Sequence, residues 1–325
     1  MTQQHTIWCN AEFPEEVTAR LKAGTAGHRL VIDNELASNL GSSRPSPLMA
    51  GADVAFGQPN PEQIVEQQGL RWVHLTSAGY TRYDRDDLRR ALKARDSQLT
   101  NSSSVFDEPC AQHLLAFILA QARQLPASMA DQLRSRGWIY EDLRPKTRLL
   151  AAGQTVLILG FGAIARRLVE ILAPFRMNLI AIRQRVKGDE PIATFAATEV
   201  GRLIPVADHI VDILPANPST VHFVNAPMLS LAKPGAHFYN IGRGTTVDQD
   251  ALIEALSRGQ LGSAYLDVTD PEPLPPGHRL WTAPNCFITP HIGGGHAEEY
   301  PRLVDHFLAN LDRFERGEPL LDRVM

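Results

Sequence analysis

Short apolar runs alternate with polar, helix-like stretches along most of the chain. In residues 1–100 the runs are LVID (30–33), ADVAFG (52–57) and RWVHLTSAGY (71–80). Runs this short, bounded by turn residues, predict buried strands, and the segments between them predict the helices of a small α/β unit. SSRPSP (42–47) and QPNPEQ (58–63) read as loops, the second leading into a helix with Pro61 in its first turn, where a missing N–H costs nothing. DEPCAQHLLAFILAQAR (107–123) predicts a long helix with Asp107 as cap and Pro109 tolerated early. It is apolar on nearly every side, so it is expected to be buried. A second, cleaner series follows: TVLILG, NLIAI, DHIVDIL, AHFYNI, SAYLDV and CFITP. Strands alternating with helical segments require a parallel sheet closed by crossovers.

Composition narrows the class. A chain of 325 residues, 44% hydrophobic and 21% charged, has room for two globular domains at roughly 100–200 residues each. The net charge of -4 and the lack of any run of lysines or arginines give no sign of a polyanion as partner, so no nucleic-acid partner is expected. Cys9, Cys110 and Cys286 are odd in number and far apart, with no metal-ligand spacing, which fits a reducing compartment and no bound metal. MTQQHTIWCNAEF lacks the basic start and apolar run of a leader, and no stretch of ~18 apolar residues could cross a bilayer. The expectation is a cytoplasmic protein.

TVLILGFGAIARRLVEIL (155–172) is an apolar strand, a loop with Gly160, Gly162 and the small Ala165, and a helix with Ile164, Leu168 and Leu172 on one face. The first glycine permits a tight turn. The second lets backbone approach a pyrophosphate at a helix N-terminus, and the small third residue lets helix and strand pack closely. Gly160, Phe161, Gly162, Ala163 and Ile164 are therefore candidate dinucleotide contacts; the alternative is a tight turn with no ligand. The strand that should carry the ribose-reading acid, NLIAI, ends instead in Arg183, with Arg185 and Lys187 close behind. A guanidinium cannot accept from a ribose hydroxyl but can pair bidentately with a 2′-phosphate. Arg183 and Arg185 thus favour NADP(H), with NAD(H) possible; three solvated loop cations are the plain alternative.

AHFYNIGRGTTVD (236–248) ends a strand in Arg243, held between two glycines. A permanent charge there is costly unless an anion meets it. SAYLDV runs into DVTDPEPLP, and CFITP into His291, so three strand ends deliver arginine, carboxylate and imidazole. That set can handle a carbonyl: hydride arriving at carbon leaves charge on oxygen, which needs a proton donor and a cation. Glu272 and Asp270 are rival carboxylates, and His291 is one of 11 histidines.

These segments resemble those of the D-isomer-specific 2-hydroxyacid dehydrogenases, which include glycerate and phosphoglycerate dehydrogenases and glyoxylate/hydroxypyruvate reductases. The resemblance runs from about Leu70 to the C-terminus through LGFGAIA, YNIGRGTTVDQDALIEAL, YLDVTDPEPLP and TPHIGG; the first 60 residues match only loosely. It implies that Arg243 orients the substrate, Glu272 rather than Asp270 partners the histidine, and His291 is the acid/base. By the same resemblance Asp267 meets the nicotinamide carboxamide, Leu214 and Pro215 pass the nicotinamide ring, and Ile241 is a cofactor contact. HLTSAGYTRYD resembles the family's substrate loop, which implies that backbone at Ala78 and Gly79 receives the substrate carboxylate. The implied fold is two doubly wound parallel-sheet domains: a Rossmann dinucleotide-binding domain (104–294) inserted into a flavodoxin-like substrate domain (1–103 and 295–325). The implied activity is reduction of a small 2-oxo acid of glyoxylate or hydroxypyruvate type with NADPH. The family also implies a homodimer through an arm at 124–150. It contains dinucleotide-sensing corepressors as well, a reading that the lack of a basic segment disfavours.

Overall fold

Polar loops with proline and glycine punctuate the apolar runs often enough that no strand among the described residues exceeds nine residues, and the computed structural model, which describes residues 4–37 and 43–325, resolves them into two parallel sheets. The chain divides into two units, residues 1–106 with 295–325, and residues 107–294.

The first unit carries β1 (Thr6–Ala11), α1 (Glu15–Gly24), β2 (Arg29–Ala37), β3 (Val54–Gly57), α2 (Pro61–Glu66), β4 (Trp72–Leu75), α3 (Asp86–Ala94) and β5 (Gln98–Thr100). Its sheet has the order β2-β1-β3-β4-β5, parallel throughout, which is the flavodoxin-like arrangement. Pro61 sits at the start of α2, capped by the Asn60 side chain. Of the loop expected over 42–47, Ser42 lies outside the described residues.

The helix expected from Asp107 starts four residues earlier. α4 spans Ser103–Ala122 with Pro109 inside it. Asn101 Oδ1 accepts from the Ser103 amide and Asp322 Oδ2 from the Ser104 amide, so caps from elsewhere leave Asp107 in the interior. Nor is α4 buried all round: Val105, Cys110, Ala111, Leu114, Ile118 and Ala122 form the buried face, while Ala116 on the far side is exposed.

The second unit continues through α5 (Leu125–Arg134), α6 (Tyr140–Leu143), β6 (Thr155–Leu159), α7 (Ala163–Leu172), β7 (Asn178–Arg183), β8 (Ala193–Ala196), α8 (Val200–Leu203), β9 (His209–Asp212), α9 (Ala226–Ser230), β10 (Ala236–Asn240), α10 (Gln249–Ser257), β11 (Leu261–Leu266) and β12 (Cys286–Ile288). The order β12-β11-β10-β9-β6-β7-β8 is parallel throughout, and it turns back on itself at β6. Such a reversal opens a crevice at the carboxyl ends of the strands. On one face Phe117 of α4 packs against Tyr265, which stacks with Tyr239 and Phe287 and donates its hydroxyl to Gln121 Oε1 at 2.8 Å.

The last helix, α11 (Glu299–Arg316), belongs to the first unit. Phe307 stacks on Phe56 with ring centres 4.1 Å apart and on Trp72 at 5.2 Å, so the end of the chain completes the core laid down by its beginning.

Candidate active site

One row of ladder partners runs across the second sheet: Ile182, Leu159, Asp212, Asn240, Leu266 and Ile288 are level with one another. Every strand in that row ends there or one residue on, so the segments that follow emerge side by side. They carry Gly160, Arg183, Leu214, Arg243, Asp267 and His291. Sequence distance is thereby converted into adjacency.

Gly160 has φ +95°, and a side chain there would press on the Ile213 carbonyl at 3.1 Å. Gly162 opens α7 with nothing within 4 Å of where its Cβ would be, so the helix N-terminus is clear for a ligand's phosphates. Phe161 is buried, with the Arg166 guanidinium over its ring at 5.3 Å. Ala163 and Ile164 begin α7 and are half-buried.

Arg183 is not a solvated cation. Its Nη1 lies 2.5 Å from Glu190 Oε1, in a pair with little exposure on either side. The Lys187 amide, then Arg183 and the Gly188 amide, hold the Glu190 carboxyl down at about 2 against the opposing effect of burial. Glu190 was not expected from the sequence; its only signal is a carboxylate in a loop of cations. Arg185 and Lys187 are exposed.

Arg243 follows β10 and donates from Nη1 to the Gly242 carbonyl at 2.6 Å. The flanking glycines have a steric reason. A Cβ on Gly242 would sit 2.6 Å from the Leu214 carbonyl oxygen, and one on Gly244 would fall on the Thr269 carbonyl. Neighbouring loops therefore close on both sides of the arginine. Burial lowers the Arg243 pKa, opposed by the charge of Glu272. Among the described residues no carboxylate forms an ion pair with it, so the half-buried guanidinium still calls for an anion.

Glu272 Oε2 lies 2.7 Å from His291 Nδ1, and Glu272 Oε1 accepts from the Thr269 amide at 3.0 Å. Burial raises the Glu272 pKa, but the His291 hydrogen bond, the Thr269 amide and the nearby charges of His291 and Arg243 outweigh it and hold the carboxyl below its usual range. The imidazole thus has a fixed tautomer, with Nδ1–H committed to the carboxylate. Asp270 takes no part in this bond; its amide donates to Gln249.

Asp267 is 2% exposed, and its carboxylate accepts from the Ile292 amide, the Gly293 amide and the Thr289 hydroxyl. Ile241 is buried and donates its amide to the Asp212 carbonyl. The Pro215 carbonyl accepts from Thr220, and Leu214 donates its amide to Asp212 Oδ1. Asp212 itself escaped notice in the sequence. It is fully buried, and burial pushes it up to about 7 against the hydrogen bonds it shares with Thr246 and the Leu214 amide. Ala78 and Gly79 belong to the first unit, in the loop after β4, where Asn101 and Ser77 side chains donate to their carbonyls.

The family model for the "D-isomer specific 2-hydroxyacid dehydrogenase, NAD binding domain" matches residues 115–293, more than half of the chain. The chain belongs to the D-isomer-specific 2-hydroxyacid dehydrogenases. Like that family, it is an NAD(P)-dependent oxidoreductase. It is 33% identical over 265 residues to the human glyoxylate reductase/hydroxypyruvate reductase, covering 80% of this chain and 79% of that protein. It is also 33% identical over 245 residues to the glyoxylate/hydroxypyruvate reductase B of an Enterobacter species, covering 74% of each. Among solved structures, a D-isomer specific 2-hydroxyacid dehydrogenase from Xanthobacter autotrophicus in complex with NADPH and MES aligns with a TM-score of 0.81 at 26% identity, covering 99% of this chain and 98% of that one. An NADPH-dependent glyoxylate/hydroxypyruvate reductase from Sinorhizobium meliloti, in complex with NADP and malonate, aligns with a TM-score of 0.75 at 25% identity, covering 99% and 97%. Two parallel-sheet α/β domains are thus the family's own architecture.

Proposed function

We propose that this dehydrogenase reduces a small 2-oxo acid of glyoxylate or hydroxypyruvate type to the D-2-hydroxy acid, preferring NADPH. The observation that carries the reading is the level row of strand ends: Arg243, Glu272 and His291 lie in the segments that follow the neighbouring strands β10, β11 and β12. The clear N-terminus of α7 beside Gly160 fits a dinucleotide pyrophosphate, and Arg183, Arg185 and Lys187 suit a 2′-phosphate. Asp267, Leu214, Pro215 and Ile241 would complete the cofactor site.

Bound nicotinamide supplies the hydride that reaches the carbonyl carbon. Arg243, half-buried and without a carboxylate ion-pair partner among the described residues, grips the acid group of the substrate and polarises the adjacent carbonyl. His291 delivers its proton to the oxygen from Nε2, and Glu272 on Nδ1 stabilises the imidazolium that precedes the transfer. In the reverse direction the neutral ring accepts the proton.

The test is loss of nicotinamide absorbance from NADPH and from NADH against glyoxylate, hydroxypyruvate and larger 2-oxo acids. Faster turnover of a small acid with NADPH is expected. Tight cofactor binding with no turnover of any acid would favour a dinucleotide sensor. A second reading, an NAD-preferring enzyme for another 2-hydroxy acid, draws support from Glu190, which offsets the charge of Arg183. Resemblance to the family also supports a homodimer through residues 124–150, where Leu125, Met129, Leu133, Trp138 and Leu149 are exposed. Sedimentation should then give twice the chain mass, and charged substitutions at Leu133 and Trp138 should halve it.

A further inference from the structure

His291 has φ +53°, a left-handed conformation that residues other than glycine seldom keep without support. The support is specific. The His291 amide donates to the Asp267 carbonyl at 2.9 Å, and the next two amides donate to the Asp267 carboxylate, Ile292 at 3.0 Å and Gly293 at 2.8 Å. Gly293 could not carry a side chain, because its Cβ would lie 2.7 Å from Asp267 Oδ2 and 2.6 Å from Ile241 Cδ1. One carboxylate thus clamps the strap that carries the imidazole.

That carboxylate is held in turn. Thr289 Oγ1 donates to Asp267 Oδ1 at 2.6 Å, and His113 Nε2 lies 3.2 Å from the same hydroxyl oxygen. A hydroxyl has one proton, which the carboxylate takes, so His113 must be the donor to Thr289 and carries its proton on Nε2. His113 is fixed by Phe117, one turn along α4, whose ring meets it edge-on with centres 4.3 Å apart. Phe117 rests on Tyr265, the residue two before Asp267. The chain His113, Thr289, Asp267, strap is continuous and lies within the second unit.

We propose that His113 and Thr289 are positioning residues for His291, acting through Asp267 to hold the strap in its left-handed turn. The inference rests on His291 being the proton donor. Neither residue touches the imidazole, so loss of either should impair the chemical step more than binding. A misplaced acid costs rate steeply.

The experiment is steady-state kinetics on the full chain with NADPH and its best 2-oxo acid, together with cofactor affinity by fluorescence. Thr289→Val is expected to lower kcat by roughly tenfold or more with both KM values and cofactor affinity unchanged. Thr289→Ser, which keeps the hydroxyl, should recover most of the loss. His113→Leu should lower kcat, and His113→Gln, whose amide N–H can still donate, should recover it. This second pair decides the matter if Thr289→Val does not fold. Wild-type kcat in Thr289→Val or His113→Leu, or a loss that the conservative variants share equally, overturns the inference. His291→Ala, measured alongside, separates the two failures. If it is inactive while Thr289→Val is normal, only the positioning role falls; if it is active, the reading of the site falls with it.

Discussion

Glu272 and His291 meet at 2.7 Å across the ends of β11 and β12, with the carboxylate on Nδ1. Nε2 is outside that bond, and the proposed mechanism turns it to the substrate. Replacing His291 with alanine removes the proton donor but none of the glycine loop, so kcat should fall by about 10² to 10⁴ while cofactor binding survives. Glu272→Gln should lower kcat less, because the imidazole remains but loses its fixed tautomer and charge support. Since Glu272 ionises below the usual carboxylate range, the pair also contributes stability. For a depressed acid that contribution is present above the unfolded value and disappears as pH falls through the folded one. The gap in thermal midpoint between wild type and Glu272→Gln should therefore be constant at neutral pH and close in acid below the ordinary glutamate range. A gap that persisted there would assign the stability to packing.

Arg243 makes a separate demand. Its side chain is half-buried, and neighbouring loops close on the backbone either side of it at Gly242 and Gly244. Arg243→Lys keeps the charge and loses the fork, and KM for the 2-oxo acid should rise roughly tenfold or more. Affinity for NADPH should not follow. An unchanged KM would locate the substrate carboxylate elsewhere.

How much of this was visible in the chain depends on the range of the interaction. Apolar runs marked the strands β2, β3, β4, β6, β7, β9, β10, β11 and β12 because each is bounded by turn residues. β1 was not marked: Asn10 interrupts it, and that asparagine is satisfied by the backbone of Gln58, far along the chain. β5 and β8 show no apolar run: Gln98 and Thr100 flank Leu99 in the first, and Thr194 interrupts the second. The start of α4 was misplaced because Pro109 suggested a first turn, whereas the caps come from Asn101 and from Asp322 near the other end of the sequence. Arg243, Glu272 and His291 could be named from their motifs. Asp212, Glu190, His113 and Thr289 could not, because each acts through partners that only the sheet register and the loops bring near.

Cofactor preference turns on the Arg183–Glu190 pair. Putting aspartate at position 183 would set two carboxylates together, so glutamine is the cleaner probe. Arg183→Gln removes the charge and leaves Glu190 on the amides of Lys187 and Gly188. If Arg183 receives a 2′-phosphate, kcat/KM with NADPH should drop by about tenfold or more while the value with NADH holds. Equal loss with both cofactors would mean that the pair only shapes the loop.

Asp212 links stability to pH in the opposite sense from Glu272. Thr246 Oγ1 lies 2.6 Å from Asp212 Oδ2 and 2.6 Å from the Arg243 carbonyl. Its single proton cannot serve both. A protonated Asp212 resolves this by donating to Thr246, which then donates to the Arg243 carbonyl. Burial pushes Asp212 up to about 7 from 3.8, so over that interval the folded protein keeps a proton that the unfolded chain has released. Stability from this group should be full in acid, fall as pH rises towards 7, and level off above it; a shift of this size corresponds to a loss on the order of 4 kcal/mol. Asp212→Asn supplies a permanent N–H donor to Thr246 and does not ionise. Its thermal midpoint relative to wild type should therefore be higher at pH ~8.5 than at pH ~5.5. A difference that does not change with pH would mean that Asp212 is ionised throughout and that Thr246 gives its proton to the carboxylate, leaving the Arg243 carbonyl without it.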